Sequence, residues 1–192
     1  LRECEPTHAV CVFEGEGRSW RHERFAGYKA GHTPMPAPLA RSLPQLEADF
    51  RGVGVASIDY PEHEADDVVA TLAVKVAGRG ERVTILSTDK IFLQLLGPRI
   101  EVRDHFARKS LNEDYVQKRF GVRPEHLIEL LALAGDSTNA IPGVPGVGPK
   151  TAARLLAEHG SLDSVLDEAD SIAGKTGERL REHAADARLA RD

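Results

Sequence analysis

Apolar and polar residues follow two different periods in the first part of the chain. Short apolar runs rich in β-branched side chains occur at 7–13 (THAVCVF) and 82–87 (RVTILS), with a weaker run at 52–58 (GVGVASI). Runs of this length predict buried parallel strands. Between them, residues 39–50 and 64–80 repeat apolar positions at helical spacing, and the second segment starts with acids and stops at glycine. This alternation predicts an α/β core in which a parallel sheet carries helices on both faces.

Helical patterns take over after residue 112. Apolar residues at helical spacing recur in NEDYVQKRF, RPEHLIELLALAG, KTAARLLAEHG and KTGERLREHAADARL. We therefore expect two domains, a core over residues 1–111 and a helical subdomain over 112–192. Within the core, Pro44 is expected at a boundary or kink of the helix over 39–50, because proline removes a backbone donor.

Composition and charge narrow the possible functions. The chain has 192 residues, 41% of them hydrophobic, and no apolar run approaches the roughly 20 residues that a membrane span needs. Neither an export signal nor a disulfide framework is visible, since the cysteines are only Cys4 and Cys11. These features predict a cytoplasmic protein without a membrane partner. The net charge of −5 argues against a broad polyanion-binding surface, so any contact with nucleic acid is expected to be local.

The segment PGVPGVGPKTA, residues 142–152, is unusually rich in glycine and proline, and each glycine costs entropy when the loop is ordered. Placed between two helices, it leaves backbone N–H groups pointing outward at the start of the second helix, where the helix dipole favours an anion. Gly146 and Gly148 would let a phosphate approach the main chain, and Lys150 adds a positive charge. The pattern is typical of a helix-hairpin-helix element, which holds a DNA backbone without reading bases. A tight turn capped by glycines is the alternative.

Acidic residues follow the predicted strands at the sheet edge where open α/β sheets bind ligands. Glu64, Asp66 and Asp67 start a predicted helix, Asp89 follows a predicted strand, and Asp136 follows a later helix. Complementing the helix dipole, worth roughly 0.3–1 kcal/mol per acid, accounts for one or two of them. Three acids this close repel one another unless a cation compensates. Carboxylate oxygens with room for water suit Mg²⁺ or Mn²⁺, so the cluster predicts a metal site of the kind that cleaves phosphodiesters.

Basic and aromatic residues occur in WRHERFAGYKAGH, residues 20–32, downstream of the first predicted strand. A loop or arch formed by this segment would lean over the acids. Arg21 and Lys29 would contact a scissile phosphate and neutralise charge that develops in the transition state. Tyr28 would stack on a base. Taken singly, each of the three is more typical of a solvated surface residue.

Longer motifs occur in a fixed order along nearly the whole chain: FEGEG, WRHERFAGYKAGH, EADDVVATLAVKV, STDK followed by QLL, and LAGDSTNAIPGVPGVGPKTAARLL. In order and spacing they resemble the 5′ nuclease family, which includes flap endonucleases and the N-terminal domain of bacterial DNA polymerase I. Within that family, PTHAV, YKAG, TLAVKV, STDK and GVGPK resemble the small stand-alone bacterial flap endonucleases.

The resemblance implies a PIN-like α/β nuclease core, a helical arch or loop, and a helix-hairpin-helix that binds the duplex arm of branched DNA. It implies metal-dependent cleavage where single and double strands meet, which releases a 5′ flap. The enzyme would be a monomer.

The resemblance also implies roles for particular residues. Asp66 would be the principal protein ligand of Mg²⁺, with the other four acids nearby: Glu64, Asp67, Asp89 and Asp136. The family holds K⁺ in the hairpin through main-chain carbonyls, which by position belong to Leu133, Ala134, Pro142, Val144 and Val147. The DNA backbone would meet the hairpin and the helix that follows it, at Gly146, Val147, Gly148, Pro149, Lys150 and Thr151.

The chain also departs from the family pattern. Since the family begins with a strand that carries an Asp, we expect a central strand and one metal-site carboxylate to be missing here. Glu14 stands where the family usually has Asp, Ile91 and Asn139 stand where further acids are expected, and His32 stands where many relatives have Arg. Fewer acids fit a site in which the protein holds few metal ligands and DNA helps to carry a second ion. Two alternatives stay open: a catalytically impaired DNA-binding module of the same fold, and a PIN-like ribonuclease, although such nucleases do not ordinarily carry the hairpin.

Overall fold

The computed structural model describes residues 4–31 and 33–192, so His32 lies outside the described residues. In chain order, the strands and helices within those ranges are β1 (Val10–Val12), α1 (Trp20–Arg24), α2 (Ala37–Gly52), β2 (Ala56–Ile58), α3 (Ala65–Ala77), β3 (Val83–Leu86), a 3-10 helix (Lys90–Leu95), β4 (Ile100–Asp104), β5 (Lys109–Leu111), α4 (Glu113–Phe120), a second 3-10 helix (Pro124–His126), α5 (Leu127–Ala134), α6 (Pro149–His159), α7 (Leu162–Asp167), α8 (Lys175–Glu182) and α9 (Ala184–Arg191). None of the helices in these ranges has the length and apolar character needed to cross a membrane.

The strands form two small sheets. β1 pairs in parallel with β2, and β3 pairs in parallel with β4. β5 runs antiparallel to β4, because the turn at residues 105–108 folds the chain directly back. The expectation of a purely parallel sheet is therefore corrected to a mixed one.

The helices of the core lie where the apolar spacing predicts them. α2 covers the predicted 39–50, with Pro44 inside the helix rather than at its boundary. α3 has Glu64 at its N-cap and ends before Gly78. The segments that leave β1, β2 and β3 carry Glu14, Glu64 and Asp89. Because parallel strands present their carboxyl ends at the same edge, chain order brings these acids towards one another.

The hydrophobic core is centred on α5. This helix is buried on nearly all sides, at Leu127, Leu130, Leu131, Ala132 and Leu133. It packs against α6, α9 and the 3-10 helix that follows β3. One continuous core therefore runs from Val102 on β4 to Leu155 on α6 and holds the sheet and the helices together.

Candidate active site

A cavity of about 470 Å³ opens at the acidic edge of the core. It is lined by all five acids and all three arch residues that the sequence singles out: Arg21, Tyr28, Lys29, Glu64, Asp66, Asp67, Asp89 and Asp136. The structure thus brings together side chains from segments that are far apart in the chain. We call residues 20–31 the arch segment.

Glu64 anchors the arch segment. It is only 5% exposed, and its carboxylate accepts hydrogen bonds from Ser19 Oγ (2.7 Å), Tyr28 OH (2.9 Å) and Lys29 Nζ (3.0 Å). Burial by itself disfavours the charged form, but these three donors outweigh it and hold the pKa of Glu64 below its ordinary value. The oxygens of Glu64 are therefore already occupied by donors.

Tyr28 is buried rather than open to a base. It is 9% exposed, its ring meets the His22 ring edge-on at 5.3 Å, and its hydroxyl donates to Glu64. Burial, followed by the Glu64 carboxylate, raises the pKa of this hydroxyl. In this structure the Tyr28 ring is buried, and its stacking on a base stays a prediction. Trp20 is an exposed aromatic residue of the same cavity, with 37% of its surface accessible.

Arg21 neutralises Asp67. Its guanidinium makes two hydrogen bonds to the carboxylate, at 2.5 and 2.8 Å, and the hydrogen bonding raises the pKa of Arg21. Such a bidentate pair is a strong form of ion pair. Arg21 and Asp67 are therefore brought to the cavity as a pair.

Asp136 is neutralised in a similar way. Lys90 Nζ lies 2.9 Å from Asp136 Oδ1, the Thr138 N–H donates to the same oxygen at 3.0 Å, and Asn139 Nδ2 donates to Oδ2 at 3.3 Å. Burial opposes ionisation, but Lys90 and the backbone donor outweigh it, so the pKa of Asp136 lies below its ordinary value. Asn139, where the family pattern has an acid, adds a donor to this carboxylate and not a second charge.

Asp66 and Asp89 form no ion pair with any described residue, and the nearby Lys29 charge only partly offsets the effects that raise the pKa of Asp66. Burial, and then the charge of Asp89, raise the pKa of Asp66 from 3.8 to about 6, and Glu14 acts in the same direction. Within the described part of the chain, the Asp66 carboxylate has no hydrogen bond or ion pair. One oxygen of Asp89 accepts the Ile91 N–H at 2.9 Å. The site thus holds an excess of negative charge at this pair.

The described residues include no group of three or more His, Cys, Asp or Glu side chains placed to hold a metal ion. The five predicted acids therefore share one cavity without forming one five-carboxylate cluster, because Glu64, Asp67 and Asp136 each bind a cationic side chain. Two carboxylates nevertheless fit Mg²⁺, which is usually held by one or two of them while water and substrate phosphates complete its shell.

Lys29 has an unusual backbone. Its φ of 53° lies in the left-handed region, which costs a non-glycine residue of order 1 kcal/mol or more. Its N–H donates to the Asn139 carbonyl at 3.2 Å, and its ammonium group is held by Glu64. Bonds at both ends fix the Lys29 side chain over the acids.

Three contributors to the site have no assigned role in the sequence predictions, although Glu14 is noted there as standing where the family usually has Asp. Glu14 accepts the N–H of Ala65 at 3.1 Å and so caps α3, Ser19 donates to Glu64, and Lys90 binds Asp136. Two of them carry a signal in the sequence: Lys90 follows Asp89 within the STDK motif, and Glu14 lies in the FEGEG motif at the position where the family usually has Asp. Glu14 and Ser19 act through contacts with residues about 50 positions away, which no local pattern reveals.

In the helix-hairpin-helix, two backbone segments approach so closely that only glycine fits. A Cβ on Gly135 would lie 2.8 Å from the Pro142 carbonyl oxygen, and one on Gly143 would lie 2.3 Å from the Gly135 nitrogen. The carbonyl of Leu133 accepts the Val144 N–H at 2.8 Å and keeps a second lone pair. The carbonyls predicted to hold K⁺ all belong to this region of close approach, in the last turn of α5 and in the hairpin.

The first turn of α6 faces outward. Gly148 occupies the N-cap without a capping side chain, and Pro149 starts the helix. The side chain of Lys150 is exposed. Four of the six residues predicted to meet DNA line an open cleft there: Gly148, Pro149, Lys150 and Thr151.

Two family models match the chain. The first, described as 5′-3′ exonuclease, N-terminal resolvase-like domain, matches residues 1–121. The second, described as 5′-3′ exonuclease, C-terminal SAM fold, matches residues 122–192. Together they span the chain.

Curated relatives include flap endonuclease Xni of Pectobacterium carotovorum subsp. carotovorum (strain PC1), 46% identical over 185 residues, which are 95% of this chain and 71% of that protein. Flap endonuclease Xni of Pectobacterium atrosepticum (strain SCRI 1043) is 44% identical over 193 residues, which are 100% of this chain and 74% of that protein.

Solved structures show the same fold at lower identity. T5 5′-exonuclease, with divalent metal ions (zinc) bound, superposes with a TM-score of 0.84 at 20% identity, over 99% of this chain and 74% of that one. The catalytic core of Rad2 in complex with DNA substrate has a TM-score of 0.54 at 18% identity, over 92% of this chain and 58% of that one. The PIN-like fold expected from the sequence is therefore confirmed.

The family resemblance is confirmed as well, since a family model covers more than half of the chain and the relatives are nearly half identical over almost all of it. We conclude that the chain belongs to the 5′-3′ exonuclease family and is a structure-specific 5′ nuclease.

Proposed function

We propose that this protein is a Mg²⁺-dependent flap endonuclease and 5′-3′ exonuclease that hydrolyses DNA where single and double strands meet. One observation carries the proposal: within the described residues, neither Asp66 nor Asp89 forms an ion pair, the charge of Asp89 raises the pKa of Asp66, and both line the same cavity as Lys29 and Arg21. Two carboxylates that repel each other attract a divalent ion, and two cations beside them attract a phosphate.

In this proposal, Asp66 and Asp89 hold the divalent ion. When bound, the ion would activate a water molecule and stabilise the leaving oxygen. Asp66 suits this role because its carboxylate has no partner within the described ranges, and the other three acids stay with their basic partners. The T5 5′-exonuclease structures with bound metal ions support a divalent ion in this fold.

Lys29 and Arg21 would position the scissile phosphate. Lys29 is held by Glu64 and by its own backbone N–H, so little side-chain freedom would be lost when the phosphate binds. Both cations would then face charge that grows on the phosphate oxygens in the transition state. Tyr28 and Ser19 would act as positioning residues, because they hold Glu64 and so fix Lys29.

The hairpin would bind the duplex arm. The outward N–H groups at the start of α6 and the Lys150 ammonium suit the DNA backbone. K⁺ would be held by the main-chain carbonyls of Leu133, Ala134, Pro142, Val144 and Val147. A cation bound there lies next to the phosphate-binding turn, and so would favour an anionic backbone.

A cleavage assay tests the proposal. The chain is incubated with a labelled 5′-flap DNA and with a matched single-stranded RNA, each with Mg²⁺ and with EDTA, and the products are separated on a denaturing gel. We expect the flap to be cut only when Mg²⁺ is present, and Asp66→Asn to stop cutting without weakening DNA binding. Cleavage that persists at the normal rate in Asp66→Asn would remove Asp66 from the mechanism.

A second candidate is a DNA-binding module that does not cut. It is favoured by Ile91 and Asn139 at positions where the family pattern has acids, and by the lack of a three-carboxylate group among the described residues. In the same assay, tight binding of flap DNA without cutting at any Mg²⁺ concentration would support it. Cutting of the RNA in place of the flap would support a ribonuclease.

A further inference from the structure

An open cleft lies between the end of α4 and the start of α6. Its walls are residues 117–121 on one side and residues 148–151 with Ala153 on the other. Gly121 ends α4 in the left-handed conformation (φ 76°), and a Cβ on Gly121 would lie 3.4 Å from the Ala153 Cβ. The two helices therefore hold both walls in a fixed relation. We call this surface the basic cleft.

Charge is distributed unevenly around the basic cleft. Four lysine and arginine side chains of residues 112–192 make no ion pair or hydrogen bond. Three of them line the cleft: Lys118, Arg119 and Lys150. The fourth, Lys175, lies outside it. No acid lines the cleft. One turn further along α6, Arg154 is paired with Glu158. In a chain with a net charge of −5, three unpaired cations around one acid-free cleft point to an anionic partner.

We propose that the basic cleft binds a further stretch of the sugar-phosphate backbone of the duplex arm, beyond the phosphates held at the hairpin. This inference rests on the proposed function, because Lys150 belongs to both surfaces. Lys118 and Arg119 belong to α4, which lies outside the helix-hairpin-helix. The duplex would therefore be bound by two separate elements, α4 and the helix-hairpin-helix. Lysine and arginine contacts of this kind are independent of sequence, and they anchor the duplex without touching the reacting atoms.

The size of the effect follows from counterion release. Each phosphate contact contributes about 0.9 to the slope of log K against log salt, so removing two contacts lowers the slope by about 1.8. Over a fourfold rise in salt, the variant should lose about 12-fold less affinity than the parent protein.

The test compares two double variants. Lys118→Ala with Arg119→Ala removes the α4 side of the basic cleft. Lys75→Ala with Arg79→Ala is the matched control: it removes two exposed cations that have no ion pair in the described structure, near the end of α3 and outside the cleft. Dissociation constants for a fluorescent 5′-flap DNA are measured by anisotropy with EDTA from 50 to 200 mM KCl, and cleavage is measured at saturating DNA.

We expect the slope of log K against log salt to fall only for the Lys118→Ala, Arg119→Ala variant. At saturating DNA, this variant should cleave at the rate of the parent protein. Equal slopes for the two double variants would overturn the role of the basic cleft while leaving the proposed function intact. An equal effect on a single-stranded oligonucleotide would also overturn it, because the proposed contact is with the duplex. A parent protein that failed to bind flap DNA would overturn both proposals.

A different observation concerns Trp20 in the catalytic cavity. Its ring is partly exposed, and the guanidinium groups of Arg21 and Arg24, which are also ion-paired with Asp67 and Asp192, lie over it at 4.6 and 5.5 Å from its centre. An exposed aromatic ring beside cations is the arrangement with which proteins bind single-stranded nucleic acid, by stacking on a base while cations meet its phosphates. We infer that Trp20 stacks on an unpaired base next to the scissile phosphate.

Trp20 is the only tryptophan of the chain, so its fluorescence reports this contact directly. We expect 5′-flap DNA to quench the fluorescence and blunt duplex DNA to leave it unchanged. Trp20→Ala should raise the KM for flap cleavage about 5- to 150-fold, and Trp20→Phe should restore most of the loss. Phe106→Ala, at an aromatic residue that is 87% exposed and outside the cavity, is the control. Equal quenching by both DNAs, or equal KM values for Trp20→Ala and Phe106→Ala, would overturn the inference.

Discussion

Replacing Asp66 by Asn should make the metal-free protein more stable at neutral pH, although it removes the group proposed to be central to catalysis. The change keeps the shape of the side chain and takes away its charge. In the parent protein, Asp66 is partly buried and lies near Asp89. Burial and repulsion from Asp89 therefore both oppose its ionisation. Asparagine avoids this unfavourable ionisation.

The magnitude follows from the pKa of Asp66. A rise from 3.8 to about 6 means that the folded state binds this proton more tightly than the unfolded state does. In the parent protein, proton binding by Asp66 stabilises the folded state. This stabilisation is fully present below pH 4, and it is lost as the pH rises to about 6. The difference of about two pKa units corresponds to about 3 kcal/mol, and partial exposure of the site reduces this to about 1–3 kcal/mol. In a protein of this size, that is a rise in Tm of roughly 2–12 °C.

The assay is urea unfolding of the parent and of Asp66→Asn in EDTA, at pH 4 and at pH 7. We expect the Asp66→Asn substitution to leave the free energy of unfolding unchanged at pH 4 and to raise it at pH 7. Asp67→Asn is the control, because Asp67 is paired with Arg21 and its loss leaves that guanidinium without its partner. The control should be no more stable than the parent at either pH.

Mg²⁺ provides a second measurement on the same proteins. An ion that binds only the folded state raises the free energy of unfolding by an amount that depends on its concentration. We expect this increase for the parent and not for Asp66→Asn. The reasoning is refuted if Asp66→Asn is as stable as the parent at pH 7, or if its advantage is the same at both pH values.

Three further changes test other parts of the molecule. Lys29→Ala should slow flap cleavage at least 100-fold and lower the free energy of unfolding by about 1–3 kcal/mol, because buried Glu64 loses a charged donor; gel assays and urea unfolding measure the two effects. Lys150→Ala should lower the salt slope of DNA binding by about 0.9 for any duplex sequence, and an unchanged slope would count against the hairpin contact. Gly143→Ala should destabilise the protein by more than about 2 kcal/mol, since its Cβ would lie 2.3 Å from backbone. Gly121→Ala is the control: it is also at positive φ, in the left-handed helical region, and its Cβ would make only a 3.4 Å contact with Ala153, so it should cost about 1–2 kcal/mol.

Local patterns sufficed for most of the fold. Apolar spacing predicted α2 and α3, and after residue 112 it predicted α4, α5, α6 and the segment that forms α8 and α9. α7 (Leu162–Asp167) was not predicted. The missed strands are β4 and β5. Ile100 and Val102 alternate with Glu101 and Arg103, which is a strand pattern, but the run is short and the pairing of β4 with β5 depends on a turn that carries no strong signal. Pro44 lies inside α2, so of the two positions expected for it the helix boundary is wrong, and the kink stays a prediction.

The membership of the site was predictable, and the partners within it were not. The carboxyl-edge rule and the motifs placed five acids and three arch residues in one region, and all eight line one cavity. Which acid lacks an ion-pair partner depends on distances between residues that are far apart in the chain. Ser19 and Lys29 reach Glu64, and Lys90 reaches Asp136, only because the arch segment and the 3-10 helix pack over the sheet edge.

Helix periodicity explains why Asp66 is the acid without a partner. Glu64 and Asp67 are three positions apart at the start of α3, so they project from the same side of the helix, and the arch segment packs against that side with Lys29 and Arg21. Asp66 is two positions from Glu64, so it does not share that side of the helix, and among the neighbouring charges Asp89 acts on it most strongly, followed by Lys29. The spacing was present in the sequence, but it became informative only once the side covered by the arch segment was known. A cation attracted to Asp66 and Asp89 therefore need not break the Arg21–Asp67 pair, and the arch can keep its place while the site binds its metal.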